Sequence, residues 1–528
     1  MSPADSAAVS QAAKAVDGDW QRVHPASPFV RGWVALAAVG YFFGRDAFER
    51  MLQGRDFLDP NLNGRVPWLL AGGGIVLLLT VGGFILSWYF TRYQVAEGYV
   101  RVNTGFLFKQ QRQARLDRVQ AIDIVQPLLA RIFGLAELKF EVADAGESAV
   151  RLAYLPLRQA KQLRATILAR AAGVVTGPET VEEVPEAPEH VVLSVPPARL
   201  IGSLLLSEQT IGVLLGAAAS VAISVWTENN AIFLALIPAV LGVGAAYWTS
   251  FNKGYNFTAA ISPDGIRLRY GLLDTQAQTV PPGRIQALKI SQPPLWRIFG
   301  WYRMHVNVAG YGGAAGNENA ARTTLLPVGL KPDVMRMLSL VVPDPGVEDP
   351  ERVFNAGLEG LASIGTPSVD GFVTTPRRAR LLAPLGWRRN GFLATRTALL
   401  IRSGRWWRVL ILVPHQRTQS MALEQGPLAR RFGVTDLVLH TTAGPVVPRL
   451  FQAGVEQAVD LFDQQAARAR EARKRQTSEQ WLAQIAPQAP EVAAAAQATD
   501  HESPAPEARP ASSPPQNSLH HQEDRHDG

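Results

Sequence analysis

The sequence predicts an α+β membrane protein in which four transmembrane helices, paired as two hairpins, carry three copies of a small β-rich module, each closed by a C-terminal helix. Three observations predict it. Long uncharged stretches lie beside strongly basic ones, one spaced pattern of residues occurs three times, and alternating apolar and polar residues flank every copy. The average composition, 47% hydrophobic and 18% charged, blends two unlike populations, so hydropathy has to be read segment by segment. With no cysteine, the chain has no disulfide framework, cysteine-ligated zinc, iron–sulfur cluster or thiol nucleophile. The formal charge of +7 suits nucleic acid or an anionic membrane face. The hydrophobic segments beside the basic ones favour the membrane, and no nucleic-acid partner is expected.

Residues 67–90 contain no charge, include Leu69, Leu70, Ile75, Val76, Leu77, Leu78, Leu79 and Ile85, and end in Trp88, Tyr89 and Phe90. At about 1.5 Å rise per residue such a helix crosses a hydrocarbon core of roughly 30 Å, and the closing aromatics suit the interfacial belt. Residues 211–226 and 231–248 are also uncharged, with only Thr227, Glu228, Asn229 and Asn230 between them, and read as a tight transmembrane hairpin. The apolar stretch 200–209 either extends its first arm or lies along the interface. The shortest candidate, residues 30–43, holds Arg31 near one end, where a long side chain snorkels to the headgroups. Paired with residues 67–90 it makes the other hairpin.

The polar, alanine-rich start lacks the pattern of a cleavable signal peptide, so the N-terminus is expected to stay on. Arg92, Arg101, Lys109, Arg112, Arg115 and Arg118 follow the 67–90 segment, whereas the 227–230 turn has no Lys or Arg. The positive-inside bias therefore puts the modules on the cytoplasmic side of a bacterial inner membrane, although Arg45, Arg50, Arg55 and Arg65 in the 44–66 loop weigh against it.

The repeat carries the rest. Gly105, Arg118, Gln120, Leu129, Arg131, Phe133 and Gly134 align without a gap with Gly271, Arg284, Gln286, Leu295, Arg297, Phe299 and Gly300, and with Gly404, Arg417, Gln419, Leu428, Arg430, Phe432 and Gly433. An alternating strand leads to the first glycine and a hairpin turn at it. After the closing glycine a second alternating run follows, such as Leu138 to Val142, Met304 to Val308 and Leu437 to His440. An apolar-Pro pair and a helical pattern end each copy, with Leu163, Ile167 and Leu168 at helical spacing in the first.

These residues resemble the bacterial pleckstrin-homology (PH) family of the second type, found in membrane proteins with paired hydrophobic segments ahead of each module. The recognisable part is R-x-Q followed by P-L-x-x-R-x-x-G-x-x-x-L. It stands here as Arg118-Val119-Gln120 with Pro127, Gly134 and Leu138, and as Arg284-Ile285-Gln286 with Pro293 and Gly300, where Pro294 and Met304 replace leucines. The third copy, Arg417-Thr418-Gln419 with Pro427 and Gly433, is one residue tighter, has no hydrophobic hairpin before it, and is expected to dock on its siblings. The resemblance implies PH-like β-sandwich or barrel modules of about seven strands with a C-terminal helix, and no established catalysis. On this reading the chain divides into a cytoplasmic segment (1–28), hairpin (29–91), module (92–173), linker (174–197), hairpin (198–250), module (251–345), linker (346–378), module (379–475) and disordered tail (476–528).

Candidate binding residues are Arg118, Gln120, Arg284, Gln286, Arg417 and Gln419, with Arg112 and Arg115 on a basic surface near the membrane. A guanidinium offers a bidentate fork to a lipid phosphate or a partner's carboxylate, and glutamine adds a donor and an acceptor. The competing and favoured reading is structural: the pair satisfies backbone groups where the sheet bends. The Pro-Leu and Arg-x-Phe-Gly elements read as a short helix or turn that packs Phe133, Phe299 and Phe432 into each core. No phosphate-binding loop, zinc-protease helix, nucleophile elbow or paired acids occur, so neither enzyme activity nor a cofactor is expected. His520, His521 and His526 in the tail are not expected to form a metal site. Glu208, alone at a hydrophobic boundary, is thin support for transport. The expected role is a scaffold that binds lipid headgroups, an unknown protein or its own copies, and the alternative is a transport or envelope-stress component working through its hairpins.

Overall fold

The computed structural model describes residues 20–27, 29–30, 32–33, 37, 41, 66–96, 99–105, 109–115, 119–142, 150–171, 190–228, 232–262, 265–309, 323–360 and 371–475. In the first module Gln21–Arg22, Arg92–Ala96, Tyr99–Thr104 and Gln110–Arg115 form a four-stranded antiparallel sheet. It faces the strands Val119–Gln126, Leu135–Val142 and Val150–Pro156, capped by helix Leu157–Ala171. Period-two alternation builds the core between them: Tyr93, Val95, Val100 and Val102 meet Ile122, Leu138, Phe140 and Leu152, and Leu163 and Ile167 of the helix seal it.

The second module repeats this plan. His190–Ser194, Thr258–Ser262, Gly265–Tyr270 and Thr275–Val280 precede Ile285–Gln292, Tyr302–Val308 and Thr324–Gly329, with helix Lys331–Val341. So does the third, with Val373–Thr374, Gly391–Ala394, Ala398–Ser403 and Arg408–Pro414, then Ser420–Glu424, Val434–His440 and Arg449–Gly454, and helix Val455–Arg475. In each copy the leading glycine takes a left-handed φ (+97° at Gly105, +117° at Gly271, +73° at Gly404), as its hairpin turn requires.

Two boundaries differ from the sequence reading. The strands Gln21–Arg22 and His190–Ser194 pair with Arg92–Ala96 and Thr258–Ser262, so the hydrophobic segments are inserted after the first strand rather than placed ahead of the module. Strands of two and five residues are too short to announce themselves by periodicity. The described residues 346–360 are also more than a linker. Helix Pro350–Leu358 starts where the Asp349 carboxylate accepts the Arg352 N–H at 3.0 Å, and it buries Phe354 and Leu358.

Consecutive modules share sheets. The last three strands of the first module and the first four of the second form one seven-stranded sheet, joined where Val119–Gln126 pairs with Thr275–Val280. The same join recurs between Ile285–Gln292 and Arg408–Pro414, which is how the third module docks on the second.

The helices Val66–Phe90, Glu208–Thr227 and Ile232–Gly254 account for three of the four expected hydrophobic segments. The last two form an antiparallel hairpin, tied near its foot by a hydrogen bond between the Thr210 and Tyr247 hydroxyls. Among the described residues one helical stretch, Pro197–Thr227, is long and apolar enough to cross a membrane, and Gly74–Phe90 is a shorter apolar one. Most of the 30–43 segment lies outside the described residues, as do 172–189 and the 476–528 tail. Just before that segment Phe29 packs edge-on against Phe84, with centroids 6.4 Å apart. Within the Pro197–Thr227 stretch the helix Pro197–Leu205, which holds most of the 200–209 segment, is set off from Glu208–Thr227 by a break at Leu206 and Ser207 and packs on the second module. Leu200 is buried there, and Trp296 donates its indole N–H to the Ser203 carbonyl at 3.0 Å.

Candidate functional site

The repeated Arg–Gln pairs are not gathered into one pocket. Arg118 lies outside the described residues, and Gln120 is placed by its backbone alone, on Val119–Gln126. Gln286 is buried, and its amide donates to the Arg284 carbonyl at 3.2 Å. The Arg417 guanidinium donates across to the Gly283 carbonyl of the preceding module, and burial lowers its pKa. Gln419 is exposed, with its N–H bonded to the His440 carbonyl at 3.0 Å. Arg112 and Arg115 are exposed on Gln110–Arg115, the outer strand of the first sheet.

The short helix after each pair is present as Leu128–Ile132, Leu295–Arg297 and Pro427–Arg431, but the phenylalanines do not enter the cores. Phe133 and Phe299 are about half exposed, at 54% and 50%, while Ala130 and Trp296 are buried. The following glycine turns left-handed (φ +65° at Gly134, +63° at Gly300, +59° at Gly433) and ends the helix after one turn. Phe133 is thus a capping residue off the buried face, and Phe299 stacks instead on Trp301 at 4.8 Å.

A cavity of about 400 Å³ opens where the helical hairpin meets the second module. Leu200 and Phe257 give it apolar walls, and Ser207, Glu208, Lys253, Arg303 and His305 bring polar groups to it. Strand Tyr302–Val308 places Arg303 and His305 on the face opposite Met304 and Val306, which fill the core. The Arg303 guanidinium lies 4.7 Å from the Trp296 ring centroid, and its Nε donates to the Pro327 carbonyl at 3.3 Å. Burial lowers its pKa, which the nearby Glu208 carboxylate partly offsets. Burial first, and then the charges of Arg303 and Lys289, push His305 down to about 3, so the imidazole is neutral at physiological pH. The arrangement can hold a polar or anionic group against an apolar wall. Sequence reasoning found Glu208 here and missed Arg303 and His305, although their shared parity in an alternating strand was the available signal.

It also missed two arginines at the second junction. Arg389 and Arg402 are each 1% exposed. Arg389 donates to the Gly360, Gly357 and Leu358 carbonyls at 2.9, 2.6 and 2.9 Å, and Arg402 to the Ala356 and Arg389 carbonyls at 3.0 Å each. Together they satisfy the open C-terminal carbonyls of helix Pro350–Leu358 and complement its dipole. Burial first, then neighbouring cations led by Arg402, pull the Arg389 pKa down to about 9.

The profile described as Bacterial PH domain matches residues 38–171, 201–341 and 362–469. Among curated proteins, UPF0699 transmembrane protein YdbT of Bacillus subtilis (strain 168) is 23% identical over 309 residues, covering 52% of this chain. The chain spans 61% of the length of that relative. No solved structure matches.

Proposed function

The chain belongs to the bacterial PH domain family, and from that premise we propose that it is a non-enzymatic membrane scaffold. One observation carries the reading: neighbouring modules share seven-stranded sheets, so the three form a single continuous platform rather than beads on linkers. Two hairpins, four transmembrane helices in all, moor that platform to the bacterial inner membrane with the modules on the cytoplasmic side. The outward-facing Leu78, Leu79, Leu214, Leu215, Val225 and Trp226 support the lipid contact, since a water-soluble protein rarely exposes so much contiguous apolar surface. The similarity to a transmembrane protein of Bacillus subtilis supports it too. Lys109 and Arg112 are exposed towards the end of the first sheet that Arg92 occupies directly after helix Val66–Phe90, and a cation near anionic lipid headgroups is worth around 1 kcal/mol.

The test is complementation of a deletion strain. The scaffold reading expects full-length chain to restore the wild-type phenotype, and a chain reduced to its two hairpins to fail. Restoration by the hairpins alone overturns it and transfers the work to the membrane segments, as a transport or envelope-stress component.

A further inference from the structure

The joins between modules follow one register. Counted from the leading glycine and from the glutamine of each copy, the residue six after glycine faces the residue four after glutamine in the neighbouring module. Ala277 faces Ile124 at the first join, and Leu410 faces Ile290 at the second. Four after glycine likewise faces six after glutamine, as Thr275 with Gln126 and Arg408 with Gln292. Two sequence-distant junctions with one register show that the module carries a donor edge and an acceptor edge made for each other.

Three modules joined in a row leave one edge of each kind at the ends. Gln110–Arg115 is the outermost strand of the first sheet, and Ser420–Glu424 the outermost of the last. Among the described residues neither has a strand on its outer side, and Gln110, Gln111, Arg112, Gln113, Leu423 and Glu424 are exposed. A long unpaired edge is a template for pairing with another chain.

We propose that the outer strand Gln110–Arg115 of one copy of this chain pairs antiparallel with Ser420–Glu424 of a second copy, in the register of the internal joins, assembling copies head to tail. Gln111 then faces Leu423, Arg112 faces Ala422, and Gln113 faces Met421. Arg112 and Glu424 fall on one face as diagonal neighbours, within reach of a long side chain. The charges are complementary: Lys109 and Arg112 flank the first edge, while Glu424 and Asp436 share the single Arg449 guanidinium at 2.9 and 2.8 Å. Such a contact is heterologous, so it closes into a ring if its rotation permits and otherwise extends as a file. The assembly would multiply the platform of the scaffold reading, on which it rests only for its purpose and not for its geometry.

The absence of native cysteine makes disulfide trapping clean. Full-length chains carrying Gln111→Cys and Leu423→Cys singly, with different tags, are co-expressed and oxidised in native membranes. A covalent heterodimer is expected, because directly opposed residues in an antiparallel pair lie within disulfide reach. The double variant should give a ladder of higher species, and a pair displaced by four residues, Gln110→Cys with Ser420→Cys, should give none. Glu424→Lys should lower the trapped fraction about two- to five-fold, the equivalent of one cross-strand charge pair, and adding Arg112→Glu should restore it. No heterodimer above either single variant alone, or equal trapping by the displaced pair, overturns the proposal. A different chain trapped at either edge in place of the second copy overturns it too. Because trapping is scored separately from complementation, the head-to-tail contact can fail while the scaffold reading stands.

Discussion

The two junctions share one topology and differ in what fills them. Between the first and second modules the ladder is three residue pairs long, Thr275–Ala277 against Ile124–Gln126, where the small Ala277 packs on the core of the first module and its neighbours are Gln276, Gln278 and Thr279. Side-chain hydrogen bonds also cross it: Arg164 donates to the Thr279 hydroxyl at 2.7 Å, and Arg131 to the Leu272 carbonyl at 3.3 Å. Between the second and third the ladder runs for five pairs, and Leu410 and Leu412 of the third module enter the core of the second. Asn307, fully buried, donates to the Val446 carbonyl at 2.6 Å and accepts the Val446 N–H at 2.9 Å. Backbone pairing sets the architecture of both joins, while side chains set their strength. The third module has no hydrophobic hairpin, and residues 375–390 stand between its first two strands, where the first two modules carry their hydrophobic helices.

The strongest challenge to this contrast is Arg389→Ala. It strands three carbonyls at the stronger junction and is expected to cost about 3–5 kcal/mol. Urea unfolding followed by hydrogen exchange in the Arg408–Pro414 strand measures it, and a loss under about 1 kcal/mol would remove the arginine pair from the account. Leu412→Ala should cost about 2–4 kcal/mol and raise proteolytic nicking between the second and third modules. If the same nicking rose between the first and second modules, the two joins would not be separable units. Gly271→Ala should cost about 1–3 kcal/mol, because a Cβ at this left-handed position would collide with the Asp274 carbonyl. Arg164→Met, at the weaker junction, should cost only about 1–2 kcal/mol, with faster exchange confined to Thr275–Val280.

The last effect concerns pH. His305 is held neutral in the folded chain with its pKa at about 3, below the ordinary 6.5, so the unfolded chain binds the extra proton. Stability from this group is complete above pH 6.5 and declines as pH falls from there towards 3. The melting temperature of the detergent-solubilised protein should fall between pH 7 and pH 5, and His305→Gln should flatten that fall. An unchanged slope in the variant would show that another group governs acid sensitivity.

Much of the fold was legible because it is written in short periods. Leu138 and Phe140, or Met304 and Val306, alternate as a half-buried strand must, and the leading glycines mark turns that no other residue makes cheaply. The first strands were missed for want of length. Phe133 and Phe299 were misplaced because a one-turn helix has no periodicity from which to infer a buried face. The candidate site was less legible still: Arg303 and His305 are ordinary polar members of an alternating strand until the foot of the helical hairpin closes over them. Arg389, Arg402 and Asn307 gave no local signal, because their partners lie on elements distant in the chain.

The amino-acid sequence by itself determined that one folding unit occurs three times, that hydrophobic segments accompany the first two copies, and which residues turn each hairpin. Those properties depend on spacing along the chain, which is visible without coordinates. Only the tertiary structure decided that each unit is split between two sheets, that neighbours share those sheets in one register, and that an edge of each kind remains at the ends. Backbone hydrogen bonding between strands is nearly blind to side-chain identity, so which strands pair across module boundaries leaves no pattern in the residues that do the pairing.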